Sequence, residues 1–250
     1  NSGIELTLNF VPIRNKDFTW SGFVNYSKNK NKVIEIAPNS PEFTLRGDFI
    51  NLTKIVEGRP FGEMYSRGYA RNATGQILVT ADGIPQITSA QGTYLGNTRP
   101  DWNGGLGNRF AYKNFALSFL ITARMGGVKT SFTDAVISGD GLTNKTLSGR
   151  DGFIFDGVNA DGSKNTKTIT AEQYWNAVGG RNTPAGEVFT YSASNIRLRE
   201  VVFSYTIPQK TIERTKIKGA TVSLTGRNLF FLKNDAKGFD PELVVSTDKG

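Results

Sequence analysis

The chain has 250 residues, 28 of them Gly, with no Cys and no His. Those two absences exclude disulfides, thiolate metal sites, His-ligated zinc and a Ser-His-Asp triad, so any catalysis would fall to carboxylates, Lys, Tyr or backbone groups. The 30 basic residues against 22 acidic ones give a formal charge of +8, but the cations are scattered, and the densest run, Lys28-Asn29-Lys30-Asn31-Lys32, reads as a solvated face and not as a nucleic-acid site.

Period-two alternation is the dominant signal along the chain. A strand is expected over about 3–11, where Ile4, Leu6, Leu8 and Phe10 share one face and Glu5, Thr7 and Asn9 the other. Pro12 to Asp17 reads as a short turn. A second strand, about 18–32, points Phe18, Trp20, Val24 and Tyr26 one way and Thr19, Ser21, Asn25 and Ser27 the other, with Phe23 out of phase. The stretch 33–101 reads as irregular, with turn signals at Asp82-Gly83, Gly96-Asn97 and Arg99-Pro100. Strands over about 102–112 and 115–124 flank a Lys113-Asn114 turn. The stretch 125–190 is rich in Gly, Asp and Asn and carries one short helix, N-capped by Thr170 and ending at Val178. A strand over about 193–207 changes its apolar phase near Glu200, which a β-bulge explains. The last strand, about 219–232, sets Ala220, Val222 and Leu224 against Thr221, Ser223, Thr225 and Arg227.

No apolar run approaches the ~18 residues that a membrane helix requires. The layout alternates short turns with very long connections. Structureless connections of that length are foreign to a compact soluble domain and ordinary in outer-membrane barrels. Phe18, Trp20, Tyr112, Phe115 and Tyr205 cluster at the short turns, as an interfacial girdle does. Aromatics also sit at hairpin ends in soluble sandwiches. The pattern therefore leaves two architectures: part of an antiparallel transmembrane β-barrel, or a secreted β-sandwich acting as a lectin-like glycan-binding module.

Several segments resemble the SusC/RagA family of TonB-linked outer-membrane receptors. They are Gly58-Arg59-Pro60-Phe61-Gly62-Glu63-Met64-Tyr65, Asp82-Gly83-Ile84-Pro85, the run from Tyr94 to Asn108, Tyr112 to Ser118, Asn195 to Pro208, Gly226-Arg227-Asn228-Leu229-Phe230 and Gly238-Phe239-Asp240-Pro241-Glu242. The resemblance implies an all-β fold: a partial antiparallel transmembrane barrel, the C-terminal portion of one with about 22 strands. The strands named above would form the wall, and 33–101 and 125–190 would be extracellular loops. The plug, the TonB box and the closing strand would lie outside these residues. The resemblance further implies an outer-membrane transporter for oligosaccharides or peptides. It would work with a SusD-like surface lipoprotein and draw energy from the TonB-ExbB-ExbD complex. No enzyme activity, cofactor, metal or nucleic-acid partner is expected.

Four aromatics are candidate ligand contacts: Tyr174 and Trp175 on the loop helix, and Tyr94 and Trp102. Each could stack on a sugar or pack within its own scaffold. Arg109, Arg124 and Arg227 fall on the polar faces of their strands. They would line the lumen, either to meet a carboxylate or simply to hydrate the wall. Asp156 to Gly162 has the wrong spacing for an EF-hand and reads as turn chemistry. Asp240 and Glu242 are paired carboxylates of the kind a glycosidase uses. They lie on one segment around Pro241, where two facing acids would come from different elements.

Overall fold

The computed structural model describes residues 1–243. In chain order the strands are β1 (Ser2–Arg14), β2 (Phe18–Lys30), β3 (Glu42–Gly47), β4 (Asn51–Val56), β5 (Glu63–Ser66), β6 (Thr93–Asn97), β7 (Trp102–Tyr112), β8 (Phe115–Met125), β9 (Val128–Thr130), β10 (Phe153–Ile154), β11 (Thr168–Ile169), β12 (Thr190–Ser192), β13 (Asn195–Thr206) and β14 (Thr221–Asn234). The α-helices are α1 (Phe132–Gly139), α2 (Ala171–Val178) and the one-turn α3 (Gln209–Ile212). The chain divides into two compact units. One comprises Asn1–Lys30, Pro100–Gly127 and Ser192–Gly250, the last described to residue 243. The other comprises Asn31–Arg99 and Val128–Tyr191.

The first unit is one antiparallel sheet in the order β1-β2-β7-β8-β13-β14. Its register carries the argument. Leu8, Val24, Leu106, Ile121, Leu198 and Phe230 stand opposite one another in an apolar row that crosses all the strands. Ile13, Trp20, Phe110, Leu117, Phe203 and Leu224 make a second such row. The other face carries Glu5, Ser27, Asn103, Arg124, Asn195 and Asn234 in one row. Alternation thus sorts the side chains by polarity across the whole width of the sheet.

The apolar face has no cover. Ile4 is 67% exposed, Leu117 42% and Val222 66%. In water such a face would cost roughly 25 cal/mol per Å² left wet. A sandwich buries its apolar face against a second sheet. Among the described residues of this unit there is one sheet only, and the lectin-like alternative is overturned on that ground.

Aromatics mark both ends of the apolar face. Trp20, Tyr112, Phe115 and Tyr205 lie at the short turns, with Phe115 and Tyr205 centroids 4.7 Å apart. Tyr26 and Trp102 lie at the other end, 5.6 Å apart. Ten residue steps separate Trp102 from Tyr112, about 33 Å of strand at ~3.3 Å per residue. At a tilt of about 40° that is about 25 Å along a membrane normal, the height of the apolar band in outer-membrane barrels.

Local irregularities have local causes. β1 continues through Pro12, where a turn is expected from the sequence, because the register slips between Phe10 and Ile13. A bulge on an edge strand needs no ladder donor from proline. Asn15 then closes the turn by accepting from the Phe18 N–H at 2.8 Å. Phe23 breaks the alternation because its ring covers Gly107 across the strand pair. A Cβ at Gly107 would collide with that ring. The phase change near Glu200 is a bulge: Leu198 pairs with Ile121 and Glu200 with Leu120.

The second unit corrects the reading of 33–101 and 125–190 as irregular. A sheet in the order β3-β4-β5-β6 fills part of the first stretch. The second stretch holds α1 and α2. Thr170 caps α2 in a capping box with Gln173, as the sequence indicates. Ile50, Ala135, Val178, Ala185 and Phe189 form a small buried core, with Phe132, Tyr174 and Trp175 packed against it. These strands are only a few residues long and their apolar positions are separated by turns. Periodicity has too few repeats there to register.

If the apolar face meets hydrocarbon, Leu106→Arg at mid-strand destabilises the full receptor by about 2–4 kcal/mol, whereas Ser118→Gln on the polar face costs far less. Denaturant unfolding in lipid vesicles measures both. Equal costs would contradict the assignment of faces.

Candidate functional site

The polar face of the sheet holds the chemistry of the first unit. Register places Arg109, Arg124 and Arg227 on it together. Arg227 Nε donates to Glu200 at 2.8 Å, an exposed pair of the sort that contributes little. Arg109 sits between Ser21 and Ser118, and Arg124 between Asn103 and Asn195. Neither makes an ion pair among the described residues. Both are exposed cations facing the polar side.

A denser cluster lies where two bulges meet. The β13 bulge at Arg199 puts Arg199 and Glu200 on the polar side with Arg197. Asn228 adopts a left-handed backbone, φ 50°, in the facing bulge of β14. Asn tolerates that conformation better than most residues. Its side-chain oxygen accepts from Arg199 at 2.8 Å. The segment after β14 folds back onto these arginines. Asp240 accepts from Arg197, and Glu242 accepts from Arg199 at 2.7 Å. The Arg197 guanidinium also lies 4.0 Å from the Phe231 ring centroid and is 7% exposed.

Burial works to raise the Asp240 carboxyl. The Arg197 hydrogen bond, the Glu242 backbone N–H and the charges of Arg197 and Arg199 outweigh it and hold the group below its ordinary range. Asp240 and Glu242 are therefore the counter-ions of a structural cluster, each matched by arginine, and are not a catalytic pair. Sequence reasoning identified the segment but missed the cluster. The available signal was Arg197-x-Arg199, two cations at strand spacing, upstream of an Asp-Pro-Glu turn.

In the second unit, Tyr174 and Trp175 do mostly packing. Tyr174 stacks on Phe155 with centroids 5.8 Å apart and meets the Tyr69 hydroxyl at 2.7 Å. Burial, then the Tyr174 contact, pushes the Tyr69 phenol up. Trp175 lies against Phe189, and Lys145 Nζ sits 5.0 Å from its ring centroid. The same lysine binds Asp134 at 2.7 Å. One side of Trp175 also lines a cleft of about 460 Å³ with Asp140, Arg150, Glu172 and Asn176. Tyr94 is half exposed, with Arg59 5.3 Å from its ring centroid and Tyr65 alongside. Burial and the Glu63 hydrogen bond raise Tyr65 to about 12. Trp102 stands elsewhere, on the apolar face of the sheet, with its ring centroid 5.6 Å from that of Tyr26. In the Asp156 to Gly162 segment, Asp161 accepts from the Ser163 N–H at 2.9 Å, which is turn chemistry.

A single-layer sheet with one lipid-facing side, aromatic belts at both ends and a polar inner side defines the wall of an outer-membrane barrel. The comparisons agree with that class. No family model matches the chain. It is 28% identical over 270 residues to TonB-dependent receptor P3 of Formosa agariphila, covering 99% of this chain and 26% of that protein. It is 26% identical over 262 residues to TonB-dependent receptor SusC of Bacteroides thetaiotaomicron, covering 99% of this chain and 24% of that protein. Among solved structures, the RagAB peptide transporter superposes with a TM-score of 0.63 at 20% identity, over 96% of this chain and 26% of that one. The chain spans about a quarter of the length of the relatives it matches. The resemblance to SusC/RagA-type TonB-dependent receptors, which are outer-membrane proteins and not enzymes, is borne out.

Two outcomes follow for the clusters. The Asp240 carboxyl has a depressed folded-state pKa, so its stabilisation is complete above the ordinary carboxylate value of ~3.9 and is lost as pH falls through the depressed value. The amide protection factors over 238–243, taken relative to the intrinsic exchange rate at each pH, should therefore fall in acid. Asp240→Asn should produce the same loss of protection at neutral pH, weakening local closure by about 2 kcal/mol, because Arg197 then keeps only Glu242, 4.0 Å away, as a carboxylate neighbour. In the second unit, Trp175→Ala should lower the stability of the loop core by about 2–4 kcal/mol. A protease-susceptibility midpoint unchanged by that substitution would remove Trp175 from the core.

Proposed function

We propose that the chain is the C-terminal portion of the barrel wall, with two folded outer loops, of a TonB-dependent importer. The observation that carries this reading is the uncovered apolar face, bounded by aromatics at a membrane-spanning separation and backed by a mainly polar face. Residues 31–99 and 128–191 correspond to the loops on the extracellular side, because the opposite ends of the strands are joined by short turns. The imported ligand would be an oligosaccharide or a peptide. Its recognition would involve Trp175 and Tyr94 on the loops. Arg227, already matched by Glu200, belongs to the hydrated wall. A SusD-like surface lipoprotein would close over the loops. The TonB-ExbB-ExbD complex would supply energy through a plug outside these residues. Both partners are expected from the relatives.

The test uses the full receptor in its native membrane. The protein should fractionate with the outer membrane, require detergent for extraction and retain a surface lipoprotein on purification. Uptake of its ligand should stop when TonB is deleted. Recovery as a detergent-free soluble monomer would overturn the reading. Uptake that persists without TonB would overturn the energy-coupling part of it.

A further inference from the structure

The β13–β14 connection is the longest of the short-turn rim and is strongly basic. Residues 208–219 carry Lys210, Arg214, Lys216 and Lys218 against one acid, Glu213. All four cations are exposed, and none forms an ion pair among the described residues. Ile217 stands between two of them, 53% exposed, while Ile212 is buried and anchors the turn. The neighbouring turns add Lys16 and Lys113, the latter with Nζ 5.3 Å from the Tyr112 ring centroid.

Position decides what this charge meets. The connection leaves β13 just after Tyr205 and enters β14 just before Val222, and these two residues pair on the apolar face. Tyr205 belongs to the aromatic belt, which in a membrane protein sits at headgroup level. Lys113 follows Tyr112 directly and Lys16 precedes Phe18 by two residues, while Lys210 and Lys218 stand five and four residues beyond Tyr205 and Val222 on the aqueous side of the same rim. Long Lys and Arg side chains reach back from there to headgroup phosphates, and an exposed isoleucine between two lysines suits such an interface.

We propose that this rim binds anionic phospholipid headgroups of the adjacent leaflet, an inference that rests on the membrane-wall reading above. The 208–219 turn supplies most of the cations, and Lys16 and Lys113 extend the surface along the rim. Lipid is favoured over a soluble anionic protein because the cations continue directly from a face that already meets hydrocarbon.

The experiment takes the full receptor, reconstituted in vesicles of phosphatidylethanolamine mixed with phosphatidylglycerol. It is re-extracted in mild detergent, and the retained lipid is quantified by mass spectrometry. Phosphatidylglycerol should be enriched about threefold or more over its share in the vesicles. The enrichment should fall as salt rises. The combined variant Lys210→Gln, Arg214→Gln, Lys216→Gln and Lys218→Gln should return it to the vesicle ratio. Lys28→Gln with Lys30→Gln, at the other end of the strands, should leave it in place. Heat-modifiable gel mobility verifies that each variant is folded. If the charge variant fails to fold, the salt series on the unaltered receptor decides. No enrichment, enrichment insensitive to salt, enrichment that survives in the folded charge variant, or equal loss in the Lys28/Lys30 control would overturn the proposal. A receptor that needs detergent yet shows no headgroup preference sinks this inference alone. A chain that needs no detergent sinks the membrane-wall reading.

Discussion

One constraint organises the first unit: its strands place most of their large apolar side chains, in continuous rows, on the side that protein does not cover. A soluble sheet hides that side against another layer, and the burial supplies its stability. Here the same rows run unbroken from β1 to β14 with no layer over them. The solvent must then supply the apolar environment. Once hydrocarbon is that solvent, other features follow. Backbone groups pair strand to strand because lipid offers them no partner. Aromatics with polar tips gather at the two boundaries. Charged residues withdraw to the opposite face or past the belts. The bulge at Arg199 serves the same rule, because without it Val201, Phe203 and Tyr205 would turn inward.

The polar face and the loop unit solve a different problem, that of staying rigid without a large core. On the wall, Arg197 and Arg199 tie β13 to β14 and to the Asp-Pro-Glu segment through charge-assisted hydrogen bonds, which are stronger than neutral ones. Arg197 is nearly buried, so the cluster is costly to break from one side. In the loop unit, a small apolar core is extended by stacked rings: Tyr69, Phe153, Phe155, Tyr174 and Trp175. Both devices fix local geometry with few residues.

The wall was legible in the sequence because a half-exposed strand writes its two environments into alternate residues. Even the departures were informative. The phase change at Glu200 marks a bulge, whereas the out-of-phase Phe23 is explained only by its cross-strand partner, Gly107. Pro12 misled because proline signals a turn, and an edge-strand bulge satisfies the same chemistry. The loop unit was largely illegible. β3 to β6 are too short to show a period, and α1 lacks the polar-apolar contrast that marks α2. The ion-pair cluster was hidden for another reason. Arg197 and Asp240 are 43 residues apart, and only the fold-back of the chain after β14 joins them.

The edges of the sheet carry the argument one step further. β1 and β14 each pair on one side only among the described residues. Their outer N–H and C=O groups point into the zone that the apolar rows assign to lipid. An unmet backbone group there costs several kcal/mol, and β1 and β14 would each expose a row of them. Charged residues or proline can blunt an edge in water, but neither helps in hydrocarbon, where hydrogen-bond partners are what is missing. Pairing with further strands is the remaining solution, and closure is its end point. The relatives that this chain matches are about four times its length, which is enough strand to complete such a wall. The same physics that turns the apolar rows outward therefore requires the sheet to continue past both of its edges.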